Sequence, residues 1–310
     1  MARPASVHGV VVVDKPGGMT SHDVVARCRR IFGQRQVGHA GTLDPDATGV
    51  LVIGLGDATR LLRWLSESRK VYRGTVAFGT STTTLDAAGA VVEQVAMPVS
   101  RAEVEQVASS FVGDILQIPP MVSSIKIGGR RLHELAREGV EVERPPRPVT
   151  IHRLDVGEFD ASTADAPRVV IDVECSSGTY IRTLAADLGV ALGGVAHLES
   201  LRRLAVGSFT LDEATPLAEL EATPAVALGA VLAPAAAMRA YPEFQPSPEV
   251  LDRVRHGAPL FASELGTFDE TSTELLAVLD ASDRLVAVYE RWRADRWKPA
   301  VVLAANDTAS

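Results

Sequence analysis

Short apolar runs separated by polar turns predict a chain of mixed strands and helices. Residues 10–13 and 50–55 are rich in β-branched side chains, as expected of buried strands. Alternating apolar positions over residues 71–79, 149–159 and 168–175 predict further strands. Glycine, proline and short polar residues bound most of these runs, so the pattern indicates strands that end at defined turns.

Helices are predicted where apolar residues recur at helical spacing after a capping residue. Thr20 or Ser21 is a candidate N-cap for one helix. A second helix is predicted over residues 99–111, where Ser100 and Glu103 have the spacing of a capping box.

A third helix is predicted within residues 178–192, with Thr179 as its candidate cap. Strands and helices do not alternate in regular βαβ units along this chain. The pattern therefore favours the α+β class, with a mostly antiparallel sheet.

Proline-rich segments suggest how the chain is divided. A linker at residues 241–248 separates a predicted domain of residues 1–240 from a small, acidic, all-β domain of residues 245–310. Within the larger domain, residues 119–148 are bounded by prolines. We expect them to form an inserted arm with a short amphipathic helix at its centre.

The composition is that of an ordinary globular protein, with 46% hydrophobic and 23% charged residues. No N-terminal signal is visible, and the uncharged stretch at residues 222–238 falls short of the ~20 apolar residues that span a bilayer. Cys28 and Cys175 have no metal-binding spacing, and the seven histidines are scattered. We expect a cytoplasmic, monomeric protein that holds no metal.

The net charge of −8 is unevenly distributed. Residues 211–310 hold 16 acidic and 8 basic residues, so the preceding part of the chain is neutral. Residues 60–73 contain five basic residues and one acidic, and residues 27–35 contain four basic and none acidic. Such patches predict contact with a polyanion, although each also fits a solvated helix face.

The segment GHAGTLDPDATGVL, residues 38–51, places two carboxylates in a glycine-rich turn between apolar runs. It could be a surface turn, because Asp-Pro and Gly favour loops. It could also be the site of a paired-carboxylate hydrolase, but Asp44 and Asp46 would then have to flank a bond at ~5–9 Å, which neighbouring loop residues rarely do. A dinucleotide-binding loop is disfavoured, because Thr59 replaces the third glycine after G-L-G.

Polar and aromatic residues suited to one nucleotide-binding site are spread over several motifs: Lys15, His39, Asp44, Tyr72, Tyr180 and Arg182. A buried aspartate needs a partner to stay ionised, which Arg182 could supply to Asp44. A tyrosine can stack on an extruded base. Each residue also has a structural alternative: a tyrosine in the core, a histidine at a turn, or an arginine in a weak surface ion pair.

Together these motifs resemble the TruB-type tRNA pseudouridine synthases, which isomerise the T-loop uridine at tRNA position 55. The resemblance covers nearly all of residues 9–210. It rests on GVVVVDKPGGMTSHDVV, VGHAGTLDPDATGVLVIGLGDATR, KVYRGTVAFG, TTTLDAAG, CSSGTYIRTLAADLG and HLESLRRLAVG. It implies the pseudouridine-synthase fold, with a long central sheet, and neither metal nor cofactor. The tail from about residue 245 is similar in position to a PUA-like domain.

The resemblance also implies roles for individual residues. Asp44 resembles the catalytic aspartate, and residues 119–148 resemble an insertion that clasps the T-arm of tRNA. The residues implied to hold the flipped uridine and its loop are His39 as a wedge, Tyr72 as a stacking platform, Tyr180 and Leu201 as pocket walls, and Arg182 as the ion-pair partner of Asp44. Lys15 is a further candidate for substrate binding.

Two other functions remain open at this point. A non-catalytic RNA-binding protein would share the basic patches, and a nucleoside hydrolase would share the carboxylate but release free uracil. The sequence also leaves open whether Asp44 attacks the ribose, attacks the base or removes a ribose proton.

Overall fold

The computed structural model describes residues 7–123, 125–127, 129–132, 135, 138–140, 142–265 and 274–303. Its strands are β1 Gly9–Lys15, β2 Val37–His39, β3 Thr48–Leu55, β4 Lys70–Phe78, β5 Thr80–Thr82, β6 Val91–Gln94, β7 Gly113–Gln117, β8 Lys126–Ile127, β9 Arg130–Arg131, β10 Arg147–Asp160, β11 Arg168–Cys175, β12 Ala196–Val206, β13 Phe209–Thr210, β14 Thr215–Pro216, β15 Glu243–Phe244, β16 Leu260–Phe261, β17 Leu275–Leu279, β18 Leu285–Arg293 and β19 Arg296–Val302.

The α-helices are α1 Ser21–Ile31, α2 Leu62–Glu67, α3 Arg101–Ser109, α4 Ile181–Ala191, α5 Leu217–Ala222, α6 Pro224–Gly229 and α7 Pro248–Arg255. None of the helices in the described part of the chain has the length and apolar character that a bilayer crossing requires.

The chain folds into two compact units. The first comprises Met1–Pro45, Val50–Ser66 and Gly207–Ser310, and the second comprises Asp46–Gly49 and Glu67–Val206. Each unit therefore contains segments that are distant in the sequence.

In the first unit, strands pair in the order β14–β1–β3, and β2 pairs with β3. Helix α1 begins at the N-cap Thr20, whose side chain forms a capping box with Asp23. The apolar face of α1 packs Val24 and Cys28 against β1 and β3 in one buried cluster. This packing fixes the start of α1 beside the end of β1, where the site residues of this unit lie.

In the second unit, the sheet order is β3–β12–β4–β11–β10–β7, to which β3 contributes Thr48 and Gly49. All neighbouring pairs are antiparallel except β3–β12. Gly49 has φ +102°, and a Cβ there would lie 2.2 Å from the carbonyl oxygen of Arg203, so only glycine permits this close pairing. The predicted α+β class with a long, mostly antiparallel central sheet is confirmed.

One strand was not predicted from the sequence, and one predicted helix cap is wrong. Strand β12 is an element that the apolar pattern does not reveal, because register shifts at Leu198/Ser200 and Arg203/Ala205 interrupt its alternation. The N-cap of α4 is Tyr180, not Thr179. The Thr179 hydroxyl instead donates to the carbonyl oxygen of Ser176 at 2.9 Å, in the preceding turn.

The C-terminal region forms a separate five-stranded sheet in the order β15–β17–β18–β19–β16. Tyr289 and Trp297 are fully buried in its core. Helix α7 adds Val254 to that core, so the described part of this region includes a helix that the sequence pattern did not predict. The predicted boundaries at residues 240 and 245 stay a prediction.

Within residues 119–148, the structure shows the short antiparallel pair β8–β9. The amphipathic helix predicted at the centre of this arm includes residues that lie outside the described part of the chain.

Candidate active site

The segment around Asp44 is a loop between β2 and β3. After β2, the Ala40 N–H donates to the carbonyl oxygen of Val52 at 2.9 Å, and Gly41 turns the chain with φ +84°. Leu43 is buried in the core, whereas Pro45 is exposed. Asp44, between them, is half-buried. A buried residue on one side thus anchors a carboxylate that stays accessible.

Hydrogen bonds hold the backbone on both sides of Asp44. The Ser21 hydroxyl accepts the Leu43 N–H at 2.9 Å and lies 3.2 Å from the Leu43 carbonyl oxygen, to which it can donate. On the other side, Lys15 Nζ donates to the carbonyl oxygen of Pro45 at 2.8 Å. The start of α1 and the end of β1 therefore position the backbone that carries Asp44.

Lys15 is fully buried, which is unusual for a lysine. Its Nζ also donates to the carbonyl oxygens of Pro16 at 2.9 Å and Met19 at 2.7 Å. These two carbonyls and that of Pro45 match the three N–H donors of an ammonium group. The geometry makes Lys15 a support of the Asp44 loop, and its expected part in substrate binding stays a prediction.

His39 is half-buried at the end of β2, paired with Ile53 of β3. The exposed His22, on the first turn of α1, meets its ring edge-on, with centroids 5.3 Å apart and planes at 83°. The first unit thus brings Lys15, His39 and Asp44 into adjacent segments.

In the second unit, Tyr72 and Leu201 lie on neighbouring strands. Tyr72 is buried on β4, on the same face as Gly74 because side chains alternate along a strand. Gly74 pairs with Leu201 of β12, and a Cβ at Gly74 would lie 3.4 Å from Leu201 Cδ1. Leu198 Cδ1 would lie closer still, at 3.0 Å, so Leu198 and the half-buried Leu201 together occupy the space beside Gly74.

Tyr180 is held through its backbone at the start of α4. Its N–H donates to Gln117 Oε1 at 3.0 Å, and Gln117 Nε2 lies 3.3 Å from its carbonyl oxygen. Gln117 is fully buried at the end of β7, so the amide fixes the backbone and leaves the Tyr180 ring half-buried.

Arg182 is buried and ties three segments together. Its guanidinium donates to the carbonyl oxygens of Thr84 at 3.1 Å and Val122 at 2.9 Å, and lies 3.4 Å from Asp86 Oδ2. Planar, forked donors suit such a junction better than an ammonium group would.

Asp86 is a residue whose role the sequence analysis missed. Its Oδ1 accepts from the Ala88 N–H at 3.1 Å and from the Thr84 hydroxyl at 2.5 Å, while Oδ2 faces Arg182. The preceding Leu85 has φ +62°, a conformation that costs a non-glycine residue energy. The motif TTTLDAAG was the available signal, but an aspartate before Ala-Ala-Gly reads as an ordinary turn.

The basic segment at residues 60–73 is less available to a polyanion than its sequence suggests. Arg69 pairs with Glu174 at 3.3 Å, and Arg73 forms a two-pronged pair with Asp172 at 2.8 Å. Lys70 is buried, and burial, with the nearby Arg203, lowers its pKa to about 8.

The segment at residues 27–35 keeps more exposed charge. Arg27 pairs with Glu221 at 3.1 Å, and Arg29 donates to the carbonyl oxygen of Val37 at 3.3 Å. Arg30 and Arg35 are exposed near the end of α1. The positive charge near this end of α1 is therefore more available to a polyanion than that of residues 60–73.

Solved structures with the same architecture define the class of protein. A crystal structure of a Cbf5–Nop10–Gar1 complex superposes with a TM-score of 0.72 at 26% identity, covering 96% of this chain and 84% of that one. The archaeal box H/ACA sRNP Nop10–Cbf5 complex superposes with a TM-score of 0.69 at 25% identity, covering 95% of this chain and 85% of that one. The fold is thus that of the pseudouridine synthases.

Sequence comparison is more specific. The TruB family pseudouridylate synthase N-terminal domain matches residues 29–181, and the tRNA pseudouridylate synthase B C-terminal domain matches residues 182–238. The tRNA pseudouridine synthase B of Mycobacteroides abscessus is 46% identical, covering 93% of this chain and 94% of its own. The tRNA pseudouridine synthase B of Syntrophotalea carbinolica is 43% identical, covering 98% of this chain and 100% of its own. The chain belongs to the TruB family of pseudouridylate synthases, isomerases that convert uridine to pseudouridine.

Proposed function

We propose that this enzyme converts uridine 55 in the T-loop of tRNA to pseudouridine, with Asp44 as its catalytic carboxylate. The observation that carries the proposal is the support of the Asp44 loop. Lys15 and Ser21 hold the backbone on either side of Asp44, while Asp44 itself stays half-buried. A surface turn gains nothing from such support, whereas catalysis depends on placing a reacting group accurately.

The reaction makes modest demands on the protein. Uracil is detached from the ribose at N1, turned, and rejoined to the same carbon through C5, which gives up its proton as N1 gains one. Substrate and product have the same atoms, and no oxidation occurs, so the proposed chemistry uses a single carboxylate without metal or cofactor. The detached base has to be shielded from water, which would otherwise yield the hydrolysis product.

The target uridine must be extruded from the folded loop before its glycosidic bond is accessible. Extrusion costs a few kcal/mol of stacking energy. We propose that His39 acts as the wedge that helps to hold the loop open. The His22 ring meets the His39 ring edge-on, with the two centroids 5.3 Å apart. The exposed Arg30 and Arg35 contribute positive charge on the same unit.

We propose that Tyr72, Tyr180 and Leu201 receive the extruded uracil and that Arg182 pairs with Asp44. Gly74 lies on the same face of β4 as Tyr72 and pairs with Leu201 of β12, which supports placing Tyr72 and Leu201 at one site. Arg182 already joins Asp86 to two backbone carbonyls, so its position is determined before substrate binds. Lys15 is proposed to position the Asp44 loop, in addition to the substrate-binding role expected from the sequence.

The remaining expectations complete the proposal. The substrate is tRNA, bound through its T-arm, with residues 119–148 as the clasping arm. Residues 1–240 form the catalytic domain and residues 245–310 a PUA-like domain, and the enzyme acts as a cytoplasmic monomer.

The test is to incubate an unmodified tRNA transcript with the protein alone and to map carbon-linked uridine along the product. Conversion at position 55, and none in a transcript with cytidine at that position, is the expected result. A transcript that binds without change would instead indicate a non-catalytic RNA-binding protein. Release of free uracil would indicate a nucleoside hydrolase.

A further inference from the structure

The hairpin formed by β18 and β19 has an exposed aromatic residue that folding does not explain. Trp292 keeps 50% of its surface exposed, whereas Tyr289 and Trp297 fill the core of the same sheet. The ladder pairs Arg291 with Trp297 and then Arg293 with Arg296, so two residues of β18 face one of β19. This bulge falls at Trp292, and bulges commonly redirect a side chain away from the regular alternation.

Arginines accompany this tryptophan. The Arg293 guanidinium lies over the Trp292 ring, 4.6 Å from its centroid. Arg291, half-buried, reaches back toward the hairpin turn, with Nη2 3.4 Å from the carbonyl oxygen of Ala294. An open depression of about 420 Å³ is lined here by Glu274, Arg291, Trp292, Arg293 and Ala294.

The charge of this hairpin differs from that of its surroundings. Residues 290–298 hold four basic and two acidic residues, although residues 211–310 together carry a charge of −8. A positive segment within an acidic region suits an anionic ligand, and stacked aromatic and arginine side chains are how proteins bind unpaired nucleotides without reading their sequence.

We propose that the β18–β19 hairpin is a second RNA-binding site, at which Trp292 stacks on the base of an unpaired nucleotide and Arg291 and Arg293 contact its phosphates. The site rests on the proposed function only for its class of ligand, RNA. It lies outside the residues assigned to the uridine, so it would contribute to binding and not to the chemical step.

The experiment titrates the full-length protein with a fluorescently labelled single-stranded oligoadenylate, followed by anisotropy. Adenine is used because the proposed catalytic site selects uracil. Trp292→Ala should weaken binding by about 5- to 150-fold, the range expected for one lost stacking contact. Trp292→Phe retains an aromatic face and should stay close to the wild type. Arg293→Ala should weaken binding and reduce the slope of affinity against salt by about one.

Leu228→Ala is the matched control, because Leu228 is a similarly exposed apolar residue on α6, with 55% exposure. It should bind as the wild type does. Equal affinity of Trp292→Ala and Leu228→Ala would overturn the proposal and leave the hairpin as a surface for another class of partner. Equal losses in Trp292→Phe and Trp292→Ala would also contradict stacking. Because oligoadenylate binding involves no isomerisation, a failed conversion assay would leave this result standing, and the reverse also holds.

Discussion

The ammonium of Lys15 lies 2.8 Å from the carbonyl oxygen of Pro45, the residue that follows Asp44. A buried lysine at the end of β1 thus holds the loop that presents the proposed catalytic carboxylate. Replacing Lys15 with Met would leave the carbonyl oxygens of Pro16, Met19 and Pro45 without this donor. We expect Lys15→Met to lower the free energy of unfolding by about 2–4 kcal/mol. It should also lower kcat more than it raises KM, since the loop positions a reacting group.

Urea unfolding and steady-state kinetics on tRNA check this prediction. Lys298→Met is the stability control, because Lys298 is exposed and pairs with Glu290 at 2.9 Å, a type of surface pair that contributes about 0–1 kcal/mol. A Lys15→Met enzyme as stable as Lys298→Met, with an unchanged kcat, would show that the contact does not support the loop.

Arg182 should not tolerate lysine. Lysine keeps the charge but cannot reach Thr84, Val122 and Asp86 with the fork geometry of a guanidinium. We expect Arg182→Lys to lower single-turnover conversion by about 100-fold, the effect of misplacing a positioned group by roughly 1 Å. Asp86→Asn keeps one oxygen acceptor for the Thr84 hydroxyl and the Ala88 N–H but loses the oxygen that faces Arg182. Because the carbonyl oxygens of Thr84 and Val122 still accept from Arg182, the loss of conversion in this variant should be smaller.

The matched control is Arg168→Lys, because Arg168 pairs with Glu199 at 2.8 Å on the surface of the same unit. Its conversion rate should equal that of the wild type. Similar rates for Arg182→Lys and Arg168→Lys would mean that the junction around Arg182 has no part in catalysis.

Activity should depend on the aromatic ring of Tyr72 more than on its hydroxyl. Tyr72→Phe keeps the stacking face, whereas Tyr72→Leu removes it. If stacking is worth about 1–3 kcal/mol, kcat/KM for Leu should be about 5- to 150-fold lower than for Phe. Steady-state kinetics on a T-arm RNA measures both. Equal losses in the two variants would implicate the hydroxyl instead.

Lys70 should make stability depend on pH in the alkaline range. Burial lowers its pKa to about 8 in the folded state, against an ordinary value of 10.5. Between these values the unfolded chain binds the extra proton, so the Lys70 contribution to stability rises with pH. Lys70→Met removes this contribution. Its free energy of unfolding, relative to the parent, should therefore fall by up to about 3 kcal/mol from pH 7.5 to 10.5.

Cysteine titration opposes this trend and has to be removed from the comparison. Burial raises the pKa of Cys175, which pairs with Lys70 across the strands, to about 11. Parent and variant should both carry Cys175→Ala, and urea unfolding should be measured across the range. A difference in stability that does not change with pH would show that Lys70 is not held in an environment that disfavours its charge.

The fold could be predicted where local chemistry and burial agree. Val11 and Val13 of β1, for example, are buried as their β-branched run suggests. Ser100 and Glu103 form the expected capping box at α3. Strand β12 could not be predicted, because its bulges break the alternation of buried and exposed residues and because Arg203 is buried within it. Alternation cannot reveal a strand whose buried positions are charged.

The candidate site was only partly accessible from the sequence. The loop of Asp44 was identified, but Ser21 and Asp86 act through contacts with residues distant in the sequence, at Leu43 and Arg182. The positive charge that residues 60–73 offer to a polyanion was overestimated, because Arg69 and Arg73 pair with acidic residues of β11. Pairing across strands decides which charges remain available, and composition does not record it.

The central claim is that Asp44 alone supplies the catalytic carboxylate. Asp44→Asn keeps the size and most hydrogen bonding of the side chain but removes its charge and nucleophilicity. Asp46→Asn is the matched control, because Asp46 lies two residues away and is exposed. The decisive measurement is single-turnover conversion of a T-arm RNA by each variant, beside a binding titration.

We expect no product from Asp44→Asn, at nearly unchanged RNA affinity because phosphate contacts lie elsewhere, and substantial product from Asp46→Asn. Appreciable pseudouridine from Asp44→Asn would contradict the central claim, and an inactive Asp46→Asn enzyme would restore the paired-carboxylate alternative.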